Sequence, residues 1–175
     1  MKVELRKVQV AKFASEETTC YAAEVWVDDK LVGYSKNDGK GGSDIVHSAN
    51  GADVDGLLRA YAATLPPRHG RPADAENVLA DALDVAIARK ELARGLKTRV
   101  YLVDGDVVKQ TRTLRGAALT SAIAHHKAEG KAVVLNDLPF EQAFALFYSA
   151  VAPEDHPLRG SARVTAYVTL AQNGA

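Results

Sequence analysis

Apolar and polar residues alternate from the first residues of the chain. Val3, Leu5, Val8 and Val10 are apolar, with Lys2, Glu4, Arg6 and Gln9 between them. A period of two marks a half-buried strand, and the phase slip near Lys7 predicts a bulge within it. Ser15-Glu16-Glu17-Thr18 reads as a polar turn. From Thr19 to Val27 a second strand is expected, with Cys20, Ala22, Glu24 and Trp26 on one side and Tyr21, Ala23, Val25 and Val27 on the other. Asp28-Asp29-Lys30 is a tight hairpin connection and Leu31 to Ser35 a third strand. The pattern therefore predicts a three-stranded antiparallel meander at the N-terminus.

The period then changes. Asn50-Gly51 breaks the chain, Asp53 suits an N-cap, and Leu57, Leu58, Tyr61 and Leu65 fall on one helical face that Pro66-Pro67 ends. Asp74 opens the longest helix, striped by Val78, Leu79, Leu83, Ala86, Ile87 and Ala93 and stopped at Gly95. Arg99 to Leu114 reads as a second hairpin turning at Asp104-Gly105. Ala117 to Glu129 is a helix expected to bury Leu119, Ala122 and Ile123. Ala132 to Leu135 is a short strand. Asn136-Asp137 is then expected to cap a helix with Pro139 near its start and Phe140, Ala143, Phe144, Phe147, Tyr148 and Val151 on its apolar side, central to the core. Val164, Ala166, Val168 and Leu170 alternate as a last strand would.

Strands and helices come in blocks, which favours an α+β fold over a doubly wound parallel sheet. The expectation is an antiparallel sheet, built from the meander and the second hairpin, with helices packed on one face. One domain over residues 1–175 is expected, with a soft boundary at 66–73, where prolines cluster.

Composition narrows the function classes. The chain is 47% hydrophobic and 25% charged, the balance of a globule with a core of its own. Lys plus Arg and Asp plus Glu number 22 each, so binding of nucleic acid through a basic surplus is not expected. Nor is a membrane partner, since the chain holds no apolar run long enough to span a bilayer. A single cysteine, Cys20, excludes an internal disulfide and suits a reducing, cytoplasmic setting, where a mid-strand thiol packs as a small hydrophobe.

The candidate chemistry centres on the segment Lys36-Asn37-Asp38-Gly39-Lys40-Gly41-Gly42-Ser43-Asp44-Ile45-Val46-His47. Glycines 39, 41 and 42 let successive backbone N–H groups line a concavity, and Lys36 and Lys40 add positive charge, which is how a loop cradles an anion. The alternative is a loop that needs its glycines only to turn. The segment matches neither a nucleotide P-loop nor the dinucleotide fingerprint. Asp44 and His47 are three apart and would share a face if helical, and Ser43 adjoins them, so a hydrolytic or metal-dependent reading rests on Ser43, Asp44 and His47. No second histidine stands nearby, and neither metal nor cofactor is expected. His125 and His126 are neighbours on a helix and should diverge by about 100°. Between residues 89 and 115 the chain is basic, with Arg112 and Arg115 flanking Leu114 and Tyr101 available to stack on a base.

The pattern Ser15-Glu16-Glu17-Thr18, Cys20-Tyr21-x-Ala23, Trp26-Val27-Asp28 and Asn37-x-Gly39-x-Gly41-Gly42, with His47 downstream, resembles a group of small uncharacterised proteins of bacteriophages and bacterial genomes. The likeness covers about the first 50 residues and implies a phage or prophage accessory protein that acts by binding. The expected function is accordingly non-catalytic: a nucleotide-like anionic small molecule held by Lys36, Asn37, Gly39, Lys40, Gly41, Gly42 and Ser43, with Arg112 and Arg115 if folding brings them close. The alternatives are a protein-interaction module that inhibits a host enzyme and a hydrolase. An open strand edge also invites a homo-oligomer.

Overall fold

The computed structural model describes residues 1–67, 70–152 and 156. It is an α+β fold in two compact units, Met1–Ile87 and Ala88–Ala175. The division falls inside a continuous helix, Ala75–Gly95, and not at the proline cluster of 66–73.

The first unit is built on a four-stranded antiparallel sheet in sequence order: β1 (Val3–Val10), β2 (Tyr21–Val27), β3 (Lys30–Asn37) and β4 (Ile45–Ser48). The bulge expected in β1 is present between Arg6 and Gln9, with Lys7 at a φ of 51°. The β2–β3 hairpin turns through Asp28 and Asp29, both at positive φ, the geometry that matches the twist of the flanking strands. The fourth strand was not expected. Ile45-Val46-His47-Ser48 pairs with β3, so Asp44 and His47 do not share a helical face.

One face of this sheet is dry. Leu5, Tyr21, Ala23, Val25, Val27 and Val32 pack there with Val54, Leu58 and Ala62 of α1 (Val54–Ala62) and with Val78, Leu79, Ala82 and Leu83 of α2 (Ala75–Gly95). Asp53 caps α1 as read from the sequence, its side chain accepting from the Gly56 N–H at 3.0 Å. The helix comes close to the strands at Gly33, where a Cβ would lie 2.9 Å from Val54 Cγ2.

The second unit holds a separate three-stranded sheet in the order β6 (Val107–Gln110), β5 (Tyr101–Asp104), β7 (Val133–Val134). The second hairpin therefore does not extend the meander's sheet; it makes its own with β7. Around it lie the end of α2, α3 (Ala117–Glu129) and α4 (Phe140–Val151). The core includes Leu92, Val100, Tyr101, Leu135, Phe144 and Tyr148, with α4 supplying the last two, as its apolar face predicted. Asn136 does not cap α4, whose N-cap is Pro139. Its side chain instead accepts from the Tyr101 N–H at 2.9 Å and donates to the carbonyls of Leu96 and Arg99. Helix α3 has no buried residue: Leu119, Ala122 and Ile123 are only half-buried. The alternating stretch 163–170 lies outside the described residues. No described helix is long and apolar enough to cross a membrane.

Candidate functional site

The glycine segment is the β3–β4 connection, and it is clasped to the β1–β2 connection at the same end of the sheet. The Gly39 carbonyl accepts from three successive amides, Glu16, Glu17 and Thr18, at 3.0, 2.9 and 3.3 Å. The run of converging N–H groups in this part of the chain therefore lies at 16–18, and it is occupied by the chain's own neutral carbonyl oxygen. The amides of the glycine loop point inward as well. Gly39 N donates to Asn37 Oδ1 at 2.9 Å, Lys40 N to Asp38 Oδ1 at 3.3 Å and Gly41 N to Thr18 Oγ1 at 3.3 Å. Among the described residues only the Gly42 and Ser43 amides of 39–43 make no hydrogen bond.

Asn37 is the hub of the clasp. It is buried, accepts from Thr18 Oγ1 at 2.8 Å, and donates to the Gly42 carbonyl and to Asp44 Oδ1 at 2.8 and 3.0 Å. Ser15 and Cys20 complete the neighbouring turn, where Cys20 N donates to Ser15 Oγ at 2.9 Å. The half-buried Cys20 has its Cβ 2.9 Å from where a Cβ on Gly39 would lie. Lys36, Lys40 and Ser43 are exposed. Asp44 is tied to Asn37, while His47 stands on β4, and no hydrogen bond joins Ser43, Asp44 and His47.

The second face of the first sheet is wet, and its side chains form rows across the strands. Arg6, Glu24, Tyr34 and His47 lie in register in one row, and Gln9, Ala22, Lys36 and Ile45 in the next. Ala22 is short among long neighbours, so the face sinks there into a shallow depression of about 300 Å³ bounded by Lys7, Gln9, Glu24, Tyr34, Lys36 and His47. Tyr34 is 47% exposed and Ile45 48%. Glu24 is neutralised locally: Lys7 Nζ lies 2.8 Å from Oε1, and Trp26 Nε1 donates to Oε2 at 2.9 Å. The Lys7 bond first and the Trp26 bond second hold its carboxyl below the usual carboxylate range. Trp26 is half-buried, with the Arg6 guanidinium 4.4 Å above its ring. Lys36 carries no ion pair among the described residues, which leaves its ammonium as the uncommitted charge of the depression. The row pattern was readable in the sequence once the register was known; the register itself was not.

Arg112 and Arg115 belong to the second unit, exposed in the segment between β6 and α3 and beyond the hairpin arm expected to carry them. Tyr101 is not available for stacking on a base: it is 8% exposed and packs edge-on against Phe147 at 5.9 Å. Two other basic residues, Arg94 and Arg99, border a cleft of about 530 Å³ floored by Leu92, Tyr101 and Phe147. His125 and His126 diverge less than their helical positions suggest, since both reach Glu129.

Comparison with protein families, curated proteins and solved structures finds no match for this chain.

Proposed function

We propose that the chain is a non-catalytic binding protein and that its ligand is a nucleotide-like anion received on the wet face of the first sheet, over Ala22. The observation that carries this reading is the depression itself, with an unpaired Lys36, an exposed Tyr34 and His47 at one rim and Lys7 and Gln9 at the other. A planar ring stacks on the Tyr34 side and a phosphate or carboxylate meets Lys36, each a modest interaction on an open surface. Binding is favoured over turnover because the acid, imidazole and hydroxyl at 43–47 are not joined into a relay. The glycine loop then acts as the brace that fixes the end of β3, and with it Lys36, and not as the cradle. Calorimetric titration with a panel of nucleotides tests the reading. Saturable binding weakened about two- to five-fold by Lys36→Ala, and lost on filling the depression with Ala22→Phe, is expected. Absence of binding by every nucleotide, or equal affinity in both variants, rules it out.

A second reading has its own observation. Phe13, at the tip of the β1–β2 connection, is 94% exposed, and Tyr34 and Ile45 are exposed on the sheet. Large apolar groups left in water are what a protein partner would cover, in keeping with the accessory role that the resemblance implies. Light scattering tests the simplest partner, a second copy: a dimer lost in Phe13→Ser and Ile45→Glu supports it, and a monomer at all concentrations excludes it.

A further inference from the structure

Three metal-ligating side chains converge on the last turn of α3. His126 Nδ1 lies 3.0 Å and His125 Nε2 3.8 Å from the same atom, Glu129 Oε2, and the three donor atoms all lie within 4.8 Å of one another. Adjacent helical positions start about 100° apart, but the two rings swing toward the C-terminal end of the helix, their centroids 5.2 Å apart, and Glu129 at i+4 and i+3 stands between them.

A tetrahedral ion with bonds of about 2.0–2.1 Å keeps its ligand atoms about 3.3 Å apart. The two separations to Glu129 Oε2, 3.0 and 3.8 Å, bracket that value. Two imidazole nitrogens and a carboxylate oxygen form a donor set suited to zinc and similar borderline divalent ions, with an open position for water. The helix C-terminus adds the negative end of its dipole. Nothing in the core uses these residues, since α3 has no buried residue and the His125 side chain is 68% exposed. Among the described residues, Lys131 is the cation that competes for Glu129. It lies 3.4 Å from the other oxygen, Oε1, and is 81% exposed, free to turn outward when Oε2 takes an ion.

We infer that His125, His126 and Glu129 form a surface site for a zinc-class divalent ion, with water completing the coordination. The site is separate from the proposed nucleotide depression and stands or falls without it.

The test uses the full chain without a histidine tag, freed of metal by chelation and titrated with zinc chloride by calorimetry and with cobalt(II) by visible absorption. One equivalent is expected to bind saturably, with cobalt giving the d–d bands of a low-coordinate site. Glu129→Gln should weaken zinc at least about tenfold, and the double variant His125→Ala/His126→Ala should abolish both the heat and the cobalt bands. His47→Ala should leave both unchanged, and circular dichroism should show each variant folded. No saturable binding up to about 1 mM zinc, or undiminished binding in the double-histidine variant, overturns the assignment.

Discussion

At the scale of the residue, the clasp between the two connections is where single side chains decide most. Gly39 has a φ of +84°, and a Cβ placed on it would lie 2.1 Å from the Ala14 carbonyl oxygen. A backbone oxygen cannot yield as a side-chain tip does, so Gly39→Ala should cost about 2–4 kcal/mol in urea unfolding, from left-handed strain and the lost Gly39 carbonyl bonds together. A cost below about 0.5 kcal/mol would mean that the clasp relaxes freely. Asn37 gives a second measure. Asn37→Asp keeps the shape, removes the two bonds to Gly42 and Asp44, and sets a carboxylate beside Asp44. It should destabilise by about 2–4 kcal/mol at pH 7 and recover part of that in mild acid, because protonation relieves the like-charge contact. The glycines announced a turn in the sequence. Asn37 and Asp38 take two of the loop's amides locally, but the use of the Gly41 amide by Thr18, from a turn about twenty residues earlier, leaves no trace in local pattern.

At the scale of the element, what was legible followed from unambiguous period. The meander strands, the capped α1, the long α2 and the apolar α4 all carry either clean alternation or a continuous helical stripe. Strand β4 did not, because four residues after a glycine loop are too few for a period to show, and its identity comes from pairing with β3. That pairing draws α1 close, and Gly33 is the point of contact: a Cβ there would meet the His47 carbonyl oxygen at 2.6 Å as well as Val54. Gly33→Ala is expected to lower stability by about 1–3 kcal/mol through this overpacking, and the further truncation Val54→Ala should offset part of the cost if the clash with α1 is the cause. The wet face of the same sheet gives the pH dependence. Glu24 is held below its usual value by Lys7 and then Trp26, and Asp29 by Arg6. A carboxyl depressed in the folded state contributes stability that is complete above its unfolded value, about 4.3 for Glu, and is lost as pH falls through the folded value. Melting temperature should therefore change little from these groups above about pH 5 and drop below about pH 4.5, and Glu24→Gln should flatten that drop. A drop of equal depth in the variant would assign acid sensitivity to other groups.

At the scale of the whole molecule, the sequence pointed to one sheet and the described residues form two, because most strands pair with a neighbour joined to them by a short connection, β5 with β7 being the exception. β4 follows β3 by a short loop and closes the meander, while β5 and β6 form their own hairpin and take β7 on the other side. Short loops are the less costly closures, and long-range pairing of the hairpin with the meander has no such advantage. The prolines near residue 70 drew attention as a boundary, yet the division lies near Ala88, in a helix whose pattern gives no sign of it. One stripe serves two cores in turn: Val78, Leu79, Ala82 and Leu83 are buried in the first unit and Leu92 in the second. α2 thus supplies buried residues to each unit. Ala88→Pro removes an internal hydrogen bond and sets its ring against the carbonyl of Asp84, a loss of about 3 kcal/mol or more. Because unwinding spreads along the helix, hydrogen exchange should quicken at Leu79 and Leu83 and also at Leu92. Leu58→Ala, by contrast, leaves a cavity within the first core at about 2–5 kcal/mol and should raise exchange chiefly over residues 1–87. If the proline variant loosens one unit and leaves the other fully protected, each core holds its own half of α2 without help, and the helix is a tether and not a shared beam.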